Sequence, residues 1–245
     1  MQLRDRSFRW LRSKISDDFE EEKMLVNKKF SKEDIKKSML LYGVTDRHWL
    51  KEEEKLVDKV RLTLLGGATF IQLREKNMDR EEMKQEAIEI RDLCREFNVP
   101  FVVNDDVLLA KEIDADGVHV GQEDMEAIKA REILGEGKII GVSAQTVEEA
   151  IIAEKNGATY LGVGAVFPTG SKDDAIMVSK DTLKAITKAV SIPVVAIGGI
   201  SKENVTELSG CGLDGISVIS AIFGQEDIEE ATKELKKETK KIVES

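Results

Sequence analysis

The 245-residue chain is long enough for one α/β domain with a large core, and its 41% apolar and 34% charged content is that of a soluble globular protein. Its 37 basic and 47 acidic side chains leave a net charge of −10, which argues against nucleic acid as a partner, since such binding rests on clustered Lys and Arg. No apolar run reaches bilayer-spanning length, and the basic start MQLRDRSFRWLRSK has no continuous apolar stretch, so neither membrane anchor nor secretory signal is expected and a cytoplasmic location is the default.

Residues 1–38 form a charge-rich N-terminal extension in which Ser31-Lys32-Glu33-Asp34 has the form of a cap for a short helix. The extension is expected to lie as a helix across the lower face of the domain at 39–245, or to be a loose tail. Strands are expected at 40–45, 69–74, 101–104, 117–120, 139–143, 160–164, 193–198 and 214–219. Helices are expected at 52–65, 79–97, 107–113, 124–134, 146–156, 179–190, 202–209 and 225–243. Eight strand–helix units match a compact (β/α)8 TIM barrel. An open doubly wound sheet would carry a glycine fingerprint after its first strand, and LYGVTDRHW has none. The segments LLGGATFIQL, EIDADGVHV, EKNGATYLGV and GCGLDGISV introduce the even strands as a weak internal repeat, although glycine caps on helix ends read the same way. Cys94 and Cys211 lack metal-motif spacing and read as reduced structural thiols.

In a barrel the active site gathers in the loops after the strands. After the second strand, alternation turns Ile71 and Leu73 outward and Gln72, Arg74 and Lys76 toward the lumen, where the cations serve an anion or a rim salt bridge. The third strand ends in Asn104, Asp105 and Asp106, and the fourth leads to Gly121-Gln122-Glu123-Asp124. Asp105 and Asp124 on neighbouring loops make a reasonable Mg²⁺ site, because that ion takes one or two carboxylates and completes its shell with phosphate oxygens. Helix capping is the competing use of Asp124. His119 falls on the luminal side of the fourth strand, as a buried, hydrogen-bonded histidine or a general base.

Ser143 ends the fifth strand and faces either the site or the helix that starts near Thr146. The loop FPTGSKDDA after the sixth strand offers Thr169, Gly170, Ser171 and Lys172 to an oxyanion, or is a solvated loop without a role. Gly198-Gly199-Ile200-Ser201 and Ile219-Ser220-Ala221 each open a helix after strands seven and eight, where backbone amides bind phosphate in this fold. A Mg²⁺–diphosphate half and a monophosphate half over one barrel suggest group transfer between two phosphorylated substrates with loss of diphosphate. Local cations must then outweigh the repulsion that the net charge imposes on such anions. No Ser-His-Asp order or zinc spacing appears.

QLREK, NDD, GVHVGQED, GVSAQT, FPTGSK, AIGGIS and VISAI stand in the order and spacing of the thiamine phosphate synthase family, which the chain resembles from residue 40 to about 225. The resemblance implies a transferase that joins hydroxymethylpyrimidine diphosphate to hydroxyethylthiazole phosphate, giving thiamine phosphate and diphosphate. It implies that Gln72, Leu73, Arg74, Glu75, Lys76 and Asn104 hold the pyrimidine diphosphate, Ser143 touches the pyrimidine, and Lys172 touches the diphosphate. Asp105 and Asp124 hold Mg²⁺, and Thr169, Gly170, Ser171, Gly199, Ile219 and Ser220 hold the thiazole phosphate. The family mechanism is dissociative, with Arg74, Lys76, Lys172 and Ser143 as its working side chains and no protein nucleophile. Ser171 stands where the family usually has threonine, and the N-terminal extension is longer than usual.

Two rivals remain. A thiazole tautomerase, a sister barrel, shares AIGGIS and the strand-eight loop but is not expected to keep both NDD and GQED. A barrel that senses a phosphorylated metabolite without chemistry should lack the metal carboxylates or the leaving-group lysines. Whether the chain assembles as a homo-oligomer is open.

Overall fold

The computed structural model describes residues 30–76, 78–121, 127–170 and 176–244. Asp124, Ser171, Lys172 and residues 1–29 of the extension therefore lie outside the described residues. Eight parallel strands close into a (β/α)8 barrel in sequence order: β1 (Leu41–Val44), β2 (Phe70–Leu73), β3 (Phe101–Asn104), β4 (Gly117–Val120), β5 (Ile139–Ala144), β6 (Tyr160–Val163), β7 (Val194–Ile197) and β8 (Gly215–Val218). Strands covered on both faces are mostly apolar. Ile71, Leu73, Val103, Val118, Ile140, Leu161, Ala196 and Ile216 face the helices, and Tyr42, Phe70, Val102, Ile139, Tyr160 and Val195 fill the lumen.

The helical layer contains α1 (Lys32–Ser38), α2 (Leu56–Leu65), α3 (Arg80–Glu96), α4 (Val107–Glu112), α5 (Ala127–Leu134), α6 (Val147–Lys155), α7 (Lys180–Ala189), α8 (Ser220–Phe223) and α9 (Ile228–Val243). Ser31 and Asp34 form the expected capping box of α1, and Ile35 and Met39 then join the luminal cluster with Phe30 against it. Three helical expectations change. The helix expected from 52 starts at Leu56, behind a 3₁₀ turn at Arg47–Trp49. The segment 202–209 holds only a 3₁₀ helix, Val205–Leu208, and the last helix is preceded by the separate short α8.

The internal repeat has a physical basis. Thr69, Asp116, Thr159 and Asp214 each precede an even strand. Their side chains accept the N–H of Leu41, Phe101, Ile140 and Val194, at 2.8–2.9 Å. Their own amides donate back to the carbonyls of the same four residues. Two positions earlier, Gly67, Asp114, Gly157 and Gly212 all have positive φ, which reverses the chain after the helix. A reciprocal pair therefore locks each odd strand to the next even one at the N-terminal end. This leaves the opposite end free to carry varied loops.

Candidate active site

The C-terminal mouth holds an inner cavity of about 280 Å³ that runs into a wider outer recess of about 910 Å³. Arg74, Lys76, Thr169, Gly199 and Ser220 line both; Gln72, Asn104, Asp105, Ser143 and Ile219 line the inner cavity, and Glu75 and Gly170 the outer. The structure thus brings together from the ends of six strands most of the residues that the sequence singled out. Among the described residues Leu73 is the exception. It is fully buried among the helix-facing residues, because strand alternation turns it away from Gln72 and Arg74.

The Arg74 segment is fixed from behind. Thr45, fully buried after β1, donates its amide to the Gln72 carbonyl at 3.0 Å and accepts the Arg74 N–H on its hydroxyl at 3.0 Å. Glu75 accepts Arg47 Nε at 2.8 Å and the Lys76 amide at 3.0 Å, and Arg47 also donates to both oxygens of Glu86 at 2.7 Å. Burial pulls the Arg47 guanidinium down, but Glu75 and Glu86 outweigh it and hold it above its ordinary value. Burial also raises Glu86, against the pull of Arg47. A carboxylate beside Arg74 and Lys76 is thereby neutralised inside the protein.

Asp105 has φ 62°, the left-handed region that few residues other than glycine enter. Its amide donates to the His119 carbonyl at 2.8 Å, extending the β3–β4 pairing, and Asn104 Nδ2 donates to its carboxylate. Asp106, not Asp105, caps α4, accepting the Leu109 N–H at 2.8 Å. Asp105 is thus released from helix capping and sits at the cavity in a conformation that costs energy, as happens at functional sites. One rim carboxylate beside cations suits Mg²⁺ bound mainly through substrate phosphates. Among the described residues no group of three His, Cys, Asp or Glu side chains could hold a metal without such help.

Ser143 does not cap α6, because Thr146 and Glu149 form that capping box. Its hydroxyl lies 3.0 Å from His119 Nε2, and His119 Nδ1 lies 2.9 Å from the Tyr160 hydroxyl. The imidazole lies across Gly141 and Gly162, where a Cβ would meet its atoms at 2.4 and 3.2 Å. Tyr160 contacts the Tyr42 hydroxyl at 2.8 Å, and Gln72 Nε2 donates to Tyr42. Burial pushes both phenols well above their ordinary range, so each keeps its proton as donor and acceptor at once. His119 is thus hydrogen-bonded as expected but half-buried rather than buried, at the cavity wall, while Tyr42, Tyr160, Thr45 and Arg47 carried no sequence motif to mark them.

On the far side of the mouth, Gly199 has φ 63° and an added Cβ would meet the Pro168 carbonyl at 2.3 Å. The amides of Val166 and Phe167 donate to the carbonyls of Ile197 and Gly198, so the Thr169 loop is strapped to the end of β7. Gly199 opens a turn closed by Asn204 Nδ2 on its carbonyl at 2.8 Å rather than the expected α-helix. Ile219 and Ser220 do begin a helix, the one-turn α8.

A family model described as thiamine monophosphate synthase matches residues 41–222. The chain is 49% identical over 195 residues to a thiamine-phosphate synthase of Clostridium tetani, covering 80% of this chain and 93% of that one. It is 48% identical over 200 residues to a thiamine-phosphate synthase of Methanobrevibacter smithii, covering 82% and 95%. The solved thiamine phosphate pyrophosphorylase from Pyrococcus furiosus superposes with a TM-score of 0.78 at 45% identity, over 85% of this chain and 99% of that one.

Proposed function

The chain belongs to the thiamine monophosphate synthase family, a transferase family of thiamine biosynthesis, and from that membership we propose how its own residues divide the work. The substrates are hydroxymethylpyrimidine diphosphate and hydroxyethylthiazole phosphate. Gln72, Arg74, Lys76 and Asn104 hold the first, with Lys172 reaching its diphosphate and Ser143 against the pyrimidine. Gly199, Ile219, Ser220 and the 169–171 loop hold the phosphate of the second. Asp105, with Asp124, is where Mg²⁺ would sit, and there the ion would neutralise charge on the diphosphate.

The bond between the pyrimidine methylene carbon and the diphosphate oxygen breaks first, and diphosphate leaves with the electron pair. The thiazole nitrogen then gives its lone pair to the methylene cation. Neither step asks the protein for a nucleophile or a proton. Its task is to stabilise negative charge growing on the leaving group, which fixed cations do best where water is excluded. The carrying observation is that Arg74 and Lys76 meet Asn104 and Asp105 on one wall of the cavity while Gly199 and Ser220 line the other. The test supplies both substrates with Mg²⁺ and measures diphosphate, with an EDTA control. Release that depends on both substrates and stops with EDTA supports the reading, and no release with Mg²⁺ present removes it.

A further inference from the structure

We propose that Asn204 is a positioning residue for the thiazole phosphate: its carboxamide holds the 199–201 turn closed, takes up the Ser201 amide and leaves the Gly199 and Ile200 amides for the phosphate. The inference deepens the Proposed function and rests on its placement of the thiazole phosphate at Gly199.

The clamp has two bonds, and chemistry fixes the direction of each. The Ser201 amide can only donate, and it reaches Asn204 Oδ1 at 2.8 Å. The Gly199 carbonyl can only accept, and it takes Asn204 Nδ2 at 2.8 Å. One planar carboxamide thus ties together both ends of the turn. Asn204 stands at the N-cap of the 3₁₀ helix Val205–Leu208, yet its side chain makes no capping bond there and is turned back to the glycine turn instead. The helix in turn holds Asn204, because the Val205 amide donates to the Ser201 carbonyl at 3.0 Å and the Val205 and Leu208 side chains are buried in the core. The Ser201 hydroxyl donates to Glu203 at 2.6 Å. Amide, carbonyl and hydroxyl of Ser201 are all engaged within the turn.

Gly199 and Ile200 differ. Both line the inner cavity and the outer recess, and among the described residues their amide nitrogens have no hydrogen-bond partner. The Ile200 side chain packs in the core, so what this residue can offer a polar ligand is its backbone. Successive amides in such a turn form a concavity for an anion. Gly198 and Gly199 have φ of 96° and 63°, and glycine loses more backbone freedom than any other residue when it is ordered. Left untied, the turn would have to be ordered by the phosphate itself; Asn204 orders it beforehand, which favours binding. Aspartate at this position would still accept from Ser201. It would also set an oxygen against the Gly199 carbonyl and a negative charge beside an anion.

Asn204→Ala is expected to raise KM for the thiazole phosphate about tenfold, the weight of one or two hydrogen bonds, while KM for the pyrimidine diphosphate stays unchanged. Asn204→Asp should raise it at least as much. A lower urea midpoint with an unchanged thiazole phosphate KM would make Asn204 purely structural and overturn the proposal. Amide hydrogen exchange in the wild-type protein gives a second reading that does not depend on how the variants fold. Without ligand the Ser201 amide should exchange slowly, and the Gly199 and Ile200 amides fast. Hydroxyethylthiazole phosphate should slow those two and leave Ser201 as it was. Protection gained at Ser201 instead, or none gained at Gly199 and Ile200 while diphosphate is released normally, overturns the clamp. Missing diphosphate release counts against the transferase reading on which the clamp rests.

Discussion

Glu75 lies with its carboxylate 2.8 Å from the Arg47 guanidinium, and only 8% of its side chain is exposed. The family resemblance puts Glu75 among the residues that hold a diphosphate, yet a carboxylate would repel that ligand. The geometry gives it a different task. One oxygen takes Arg47 and the other the Lys76 amide, so Glu75 ties the β1 loop to the backbone that presents Arg74 and Lys76.

Arg47→Met should therefore act on the pyrimidine diphosphate without touching it. The Arg47 side chain is 40% exposed, so the stability loss is modest, about 1–2 kcal/mol in urea unfolding. KM for the pyrimidine diphosphate should rise several-fold as the loop loosens and Glu75 regains its repulsive charge. Glu75→Gln in the same background should cost little more, because both changes remove one interaction.

Gly199→Ala should damage the other half of the site. The φ of 63° and the Pro168 and Phe167 carbonyls at 2.3 and 2.7 Å leave no space for a methyl group. The turn or the Thr169 loop must shift, and binding of the thiazole phosphate, measured by calorimetry, should weaken at least tenfold.

Asp116→Asn should change how stability depends on pH. Burial raises the Asp116 carboxyl above its ordinary value, against the pull of the Phe101 N–H and of Lys138. A raised folded-state value means that its contribution is fully present below the unfolded value of about 3.9 and is lost as pH rises through the folded one. Urea midpoints of wild type and variant should therefore diverge in the variant's favour as pH increases through that range. Asparagine keeps an oxygen to accept Phe101.

Thr69→Val tests the repeated lock between odd and even strands. It removes the acceptor of the Leu41 N–H, a bond of 2.8 Å at a fully buried residue. An orphaned buried amide costs about 1–3 kcal/mol. Stability should fall by that amount in urea titration while kcat stays the same, because the lock lies at the end of the barrel away from the mouth.

Much of this was legible in the chain. Period-two alternation put Gln72 and Arg74 in the lumen and Leu73 outside it, and the strand count placed the loops on one face. The same alternation buries the Leu73 side chain among the helix-facing residues, away from the cavity. The even-strand repeat was visible as text, but its cause, a reciprocal bond from Thr or Asp to the neighbouring strand, needed coordinates. Asp105 and Asp106 are adjacent and chemically alike, and only backbone geometry shows that the second, not the first, caps α4. Tyr42 and Tyr160 are 118 residues apart and join only when the barrel closes. The 3₁₀ turn at Val205–Leu208 has the composition of a helix, and the Gly198–Gly199 turn that precedes it decided otherwise.

A single mouth divided into a diphosphate wall and a thiazole phosphate wall is the arrangement proposed for this barrel. Arg74→Ala tests it most directly, with thiazole phosphate binding by calorimetry and turnover by diphosphate release measured on the same preparation. Loss of one preorganised charge-stabilising group predicts turnover lower by about 10²–10³ with thiazole phosphate affinity essentially unchanged. A parallel fall in thiazole phosphate affinity would show that the two walls are not separate, and unchanged turnover would show that Arg74 does not face the leaving group.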